Sequence, residues 1–155
     1  MFEVLTFVYE NYDPGESCPE AAHLERKLTA VGFESDEIGE ALTWLKGLEG
    51  AAHPSPLQPW LIQPQANSMR IYPRHEQSHL GTQALGFLSF LEHAAQMPAQ
   101  LREVVIERAM AAPGGPVSLE ELKIIVLMVY WRFGQEPDTL VLDELCGDPA
   151  DRVAH

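Results

Sequence analysis

Eight consecutive apolar residues at positions 124–131, Ile-Ile-Val-Leu-Met-Val-Tyr-Trp, constrain this chain more than any other stretch. A segment apolar on every side must be covered on every side. Ser118 stands in front of the run with Glu121 three residues on, the pattern of a capping box. Residues 118–133 are therefore expected to form the central, buried helix. A buried strand is the competing reading, since Ile, Val and Tyr favour strands and a solid apolar run has no period to decide it. The capping box and Lys123 favour helix. The run is too short for a bilayer, which takes about 20 apolar residues.

At 155 residues the chain is one compact unit, or two small subdomains sharing a core. Its formal net charge of −13 repels nucleic-acid phosphate and anionic membranes at long range. The charge is uneven. Residues 1–53 hold 11 acids and 3 bases, residues 54–117 hold 4 of each, and residues 118–155 hold 8 acids and 3 bases. Contact with phosphate would have to use the middle third. Cys18 and Cys146 are far apart and lack metal-ligand spacing, so two reduced thiols are expected. The opening Met-Phe-Glu-Val-Leu has no basic residue before its apolar part, unlike a signal peptide. The expectation is a cytoplasmic protein without membrane contact.

Along the chain, residues 2–12 carry Phe2, Leu5, Val8, Tyr9 and Tyr12 at helical spacing. Asp13-Pro14-Gly15 ends that helix. Residues 20–31 form a second helix, with Leu24, Leu28 and Val31 on one side and Gly32 at a left-handed cap. Ser35 is placed to cap a third, with Asp36 and Glu37 against its N-terminal dipole and Gly50 at its end. Its inner face is Ile38, Leu42, Leu45 and either Leu48 or Trp44. Residues 54–67 contain four prolines. Within and after them, residues 60–62 and 68–72 read as two short strands joined by a loop at 64–67. Three helices and a β-hairpin are in winged-helix order.

Pro73 then opens a fourth helix to about residue 95, weakened by Gly81 and Gly86. Pro98 opens a fifth, with Leu101, Val104, Val105, Ala109 and Met110 buried. Pro113-Gly114-Gly115-Pro116 breaks the chain before the central helix. Asp138 is placed to cap a last short helix over residues 139–146. The expected fold is mainly α: a winged-helix-like subdomain at 1–72, a helical subdomain at 73–147 built around the 118–133 helix, and a frayed tail at 148–155.

Several blocks together resemble the bacterial Smg family. They are Met1-Phe2-Glu3-Val4-Leu5, Gly32-Phe33, Glu37-Ile38, Ala41-Leu42-Thr43-Trp44-Leu45, Ser68-Met69-Arg70-Ile71-Tyr72, Gly86-Phe87-Leu88-Ser89-Phe90-Leu91-Glu92, Val105-Ile106-Glu107-Arg108 and Leu119-Glu120-Glu121-Leu122-Lys123. They run in family order over residues 1–133. The proline-rich connection and the tail after Phe133 depart from the pattern. The resemblance implies no reaction and no catalytic residues. Genes of that family often lie near one for a protein that processes incoming single-stranded DNA, so the resemblance implies a nucleic-acid-linked role as an alternative.

No residue pattern here demands catalysis. His75 and His79, four apart with Glu76 between, could share one zinc, but a solvated helix face is the plainer reading. Glu34, Asp36, Glu37 and Glu40 lie along a helix start, where the dipole accounts for them. Glu92, Glu107 and Arg108 read as weak surface ion pairs. No Ser-His-Asp order, phosphate loop or dinucleotide fingerprint is present. Arg70, Tyr72 and Arg74 interleave bases with an aromatic, as strand-tracking sites do, and Lys46 could join them. Ion pairing of Arg70 and packing of Tyr72 is the plainer alternative.

The sequence thus points to a non-enzymatic protein that binds another protein, with Asp36, Glu37 and Glu40 as an acidic face for a basic partner. A nucleic-acid regulator using Arg70, Tyr72, Arg74 and Lys46 is the alternative, and a metal-dependent enzyme is a remote third. No cofactor is implied, and the oligomeric state is open.

Overall fold

The computed structural model describes residues 1–13, 20–52 and 71–137. They form six α-helices: α1 (Phe2–Asn11), α2 (Ala21–Val31), α3 (Ser35–Ala52), α4 (Arg74–His93), α5 (Ala99–Met110) and α6 (Leu119–Arg132). The expected helix at 139–146, the tail, Cys18 and Cys146 lie outside the described residues.

The centre is α6, which touches α1, α3, α4 and α5. Leu122, Ile125, Val126, Met128 and Val129 are fully buried there. Its capping box is complete. The Ser118 hydroxyl accepts from the Glu121 amide at 3.2 Å, and the Glu121 carboxylate accepts from the Ser118 amide at 2.8 Å. Residues of all six helices join one apolar cluster, including Val4 and Leu5 of α1, Leu24 and Leu28 of α2, Ile38 of α3, Leu88 of α4 and Val105 of α5. No helix among the described residues is long and apolar enough to cross a membrane.

The winged-helix expectation is corrected. The described residues contain six helices and no strand, so no β-hairpin is found among them after the three N-terminal helices. Residues 60–62, the 64–67 loop and residues 68–70 lie outside the described residues. Ile71 and Tyr72 belong to no ladder. Ile71 is 83% exposed, and the Tyr72 carbonyl accepts instead from Gln77 Nε2 at 2.6 Å. The physical reason lies in Pro73, whose φ of −65° and ψ of 159° precede α4. Proline forces the residue before it into extended backbone without any strand pairing. The apolar side of α3 is not free for a groove either, since it packs on α1, α5 and α6.

Smaller differences have local causes. The Ile38 amide donates to the Glu34 carbonyl at 3.0 Å, so Glu34 rather than Ser35 stands in front of α3. That helix continues past Gly50 to Ala52. Its buried face is Ile38, Ala41, Trp44, Leu45 and Leu48, with Leu42 half-buried.

Within α4, Gly81 has φ 76° and ψ 168° and breaks the helix. This region of backbone is open to glycine almost alone. The break frees the His79 carbonyl, which accepts from the Val117 amide at 2.7 Å and so ties the α5–α6 connection to α4.

Candidate binding surface

Two arginines of α5 are buried, among them Arg108, which the sequence placed in a weak surface ion pair. Arg102 is 7% exposed. Its Nη1 donates to Glu92 of α4 at 2.6 Å and its Nη2 to Glu103 at 3.0 Å. Burial works against the Arg102 charge, but Glu92 and Glu103 more than offset this and hold the guanidinium more firmly protonated than usual.

Arg108, 8% exposed, faces α3. Its Nη1 donates to the Trp44 carbonyl at 3.2 Å, while the Trp44 indole Nε1 donates back to the Arg108 carbonyl at 2.9 Å. The guanidinium carbon lies 5.9 Å from the Trp44 ring centre, and Nη2 reaches Glu107 at 3.0 Å. Gly47, one helical turn after Trp44, makes room for this. A Cβ there would overlap Nη1 and lie 2.8 Å from Cζ. The Ala41–Leu45 and Val105–Arg108 blocks, which carried the resemblance separately, thus meet across the α3–α5 seam.

Outside this seam runs an open cleft of about 760 Å³. Asp36 and Glu40 edge it, Gly39, Thr43 and Gly47 supply small side chains along it, and Arg108 lines it. Asp36 and Glu40 are exposed and have no cation within ion-pair reach among the described residues. Glu37 does not share their situation. It is half-buried, with a carboxylate oxygen 3.9 Å from the amino group of Met1. Two of the three acids expected to form one face are therefore brought together, and the third turns toward α1.

The basic candidates are not gathered. Arg70 lies outside the described residues. Arg74 is exposed at the first position of α4, with Tyr72 half-buried just before it. Lys46 lines a separate cleft of about 400 Å³ between α2 and α3, in company with Glu20 and Glu49. Nor do His75 and His79 pair. His75 is exposed, and His79 Nε2 lies 3.0 Å from the Ala109 carbonyl, linking α4 to α5. Among the described residues no three His, Cys, Asp or Glu side chains converge as metal ligands would.

The fold and this surface define a small protein, helical throughout the secondary structure of its described residues, with a central capped helix and an acid-edged cleft on its third helix. The chain belongs to the family described as Protein of unknown function (DUF494), whose model matches residues 1–155. It is 53% identical to the Protein Smg homolog of Leptothrix cholodnii over all of both chains. Identity to the Protein Smg homolog of Methylibium petroleiphilum is 51%, and to that of Bordetella pertussis 44%, again over all of both chains. The likeness therefore extends past Phe133 and across the proline-rich connection. No solved structure matches the chain.

Proposed function

We propose that this chain is a non-enzymatic cytoplasmic binding protein whose α3 face docks a basic segment of another protein. The observation that carries the reading is the cleft along α3. Asp36 and Glu40 stand at its edge without cation partners among the described residues, and Gly39 and Thr43 let a partner approach the helix backbone closely. Unpaired exposed carboxylates steer a basic partner, with an association rate that falls as salt rises. Carboxylates at this edge repel phosphate, which supplies most nonspecific affinity for nucleic acid.

The test is tagged capture from lysate with and without nuclease, repeated with an Asp36→Asn/Glu40→Gln variant and with Glu25→Gln, an exposed carboxylate on α2 that does not line the cleft, as a control. A partner that survives nuclease, weakens with salt and is lost only from the double variant supports the reading. A partner retained by the double variant, or insensitive to salt, refutes it. Partners lost on nuclease treatment would move the nucleic-acid reading ahead, and Arg70→Glu should then abolish their recovery.

A further inference from the structure

A second cleft, of about 580 Å³, lies where the end of α1 meets the end of α6. Its walls are aromatic, with Tyr12, Tyr130 and Trp131 contributing. Its rim carries Glu10, Asp13 and Glu136, all exposed, and no lysine or arginine lines it among the described residues. None of the three carboxylates has a cation within ion-pair reach among the described residues. The aromatic walls are fixed in place. Trp131 Nε1 donates to the Tyr12 carbonyl at 2.9 Å, which pins α6 to the chain just past α1. The Tyr12 hydroxyl is turned away from solvent and has no hydrogen-bond partner, so Tyr12 meets the cleft through its ring.

We infer that this cleft binds a lysine- or arginine-bearing peptide segment of a partner protein. Aromatic rings facing a cation attract it through their negative faces, and neighbouring carboxylates add to that attraction. The molecule already uses this chemistry once beside the cleft: Lys27 Nζ of α2 stands 4.9 Å from the centre of the Tyr12 ring. Aromatic walls also suit stacked nucleic-acid bases, but three unpaired carboxylates at the rim oppose the phosphates that would accompany them. The inference is independent of the α3 face, since the two clefts share no lining residue.

The experiment titrates the full-length protein with an oligolysine peptide and follows the ring resonances of Tyr12, Tyr130 and Trp131 by NMR. Oligoglutamate and oligothymidine serve as controls. These rings are expected to shift saturably with oligolysine alone. A Glu10→Gln/Asp13→Asn/Glu136→Gln variant should bind about tenfold more weakly, the sum of three modest charge contacts. The Asp36→Asn/Glu40→Gln variant should leave the ring shifts and their affinity unchanged. The three substitutions lie at exposed positions, and an unchanged methyl spectrum checks that the core is intact. The inference is overturned if oligolysine leaves the rings unmoved, if both variants lose affinity equally, or if oligothymidine moves the same rings. It is also overturned if the rings show contacts to leucines of residues 138–155, with the chain's own tail seated in the cleft.

Discussion

Replacing Gly47 by alanine should destabilise this protein, although alanine is the better helix former. Taken alone, Gly→Ala inside α3 is worth about 0.8–1.0 kcal/mol in favour of the folded state. The obstacle is Arg108, whose Nη1 and Cζ occupy the space that the new methyl requires. The guanidinium must swing away and lose its bond to the Trp44 carbonyl and its place near the Trp44 ring. A hydrogen bond from a charged group contributes about 1.5–3 kcal/mol, and a cation–π contact roughly 0.5–1. The net expectation is a loss of about 1–3 kcal/mol. Urea unfolding should show a lower midpoint with an unchanged slope, and the melting temperature should fall about 2–4 °C per kcal/mol. The decisive comparison is a cycle with Arg108→Ala. In that background the obstruction is gone, and Gly47→Ala should stabilise by about 1 kcal/mol. If Gly47→Ala stabilises equally in both backgrounds, the packing of Arg108 against α3 is wrong.

Gly81→Ala should cost about 1–3 kcal/mol by urea unfolding, because φ 76° with ψ 168° is strained for any side chain although nothing lies within 4 Å of the added carbon. A neutral outcome would mean the α4 break is absent in solution. Ser118→Ala should lose about 1 kcal/mol, read as a lower midpoint, by removing one half of the capping box on α6. Burial raises the Tyr130 pKa above its ordinary 10.0, so the folded state holds that proton more tightly than the unfolded chain does. The corresponding stability is whole below pH 10.0 and declines as pH rises from there through the folded-state pKa. Tyr130→Phe should remove that part of the alkaline decline, and identical pH profiles for both proteins would contradict it. Raising salt should slow partner association with the wild type more than with Asp36→Asn/Glu40→Gln, as stopped-flow mixing would report.

The helices were legible because each carries its own local signal. The capping box, the apolar run of α6 and the glycine after α2 act within a few residues, and Gly32 takes the left-handed φ of 112° that its position implied. The hairpin misled for the same local reason. Alternation over residues 68–72 suggests a strand, but a strand exists only with a partner, pairing is not a local property, and Ile71 and Tyr72, the two of these that are described, lie in none. Tyr72 sits before Pro73, so extended backbone is imposed on it whether or not a ladder forms. Ile71, most of its surface in water, shows that alternation here marks no buried face.

The seam between α3 and α5 was not legible, because its parts are 64 residues apart and each has a plain alternative meaning. Arg108 beside Glu107 reads as a surface pair, and Trp44 competes with Leu48 for the inner face. Periodicity says which side of a helix is apolar; it does not say which other helix lies opposite. One signal was present. Gly39, Thr43 and Gly47 follow each other at intervals of four, so one line along α3 carries only small side chains. On an otherwise well-formed helix such a line needs something to occupy the space it leaves, and toward α5 the Arg108 guanidinium does so at Gly47. Further along the same line, at Gly39 and Thr43, the space stays open between Asp36 and Glu40. The stripe that fixes the seam at one end thus leaves the candidate docking surface at the other, and substituting Gly39 with a bulky residue should impair partner binding without the stability loss expected at Gly47. Gly39 has a helical backbone with nothing within 4 Å, so Gly39→Leu should keep the wild-type urea midpoint or raise it while reducing capture of the partner. A partner bound equally well by Gly39→Leu would show that it does not lie along α3.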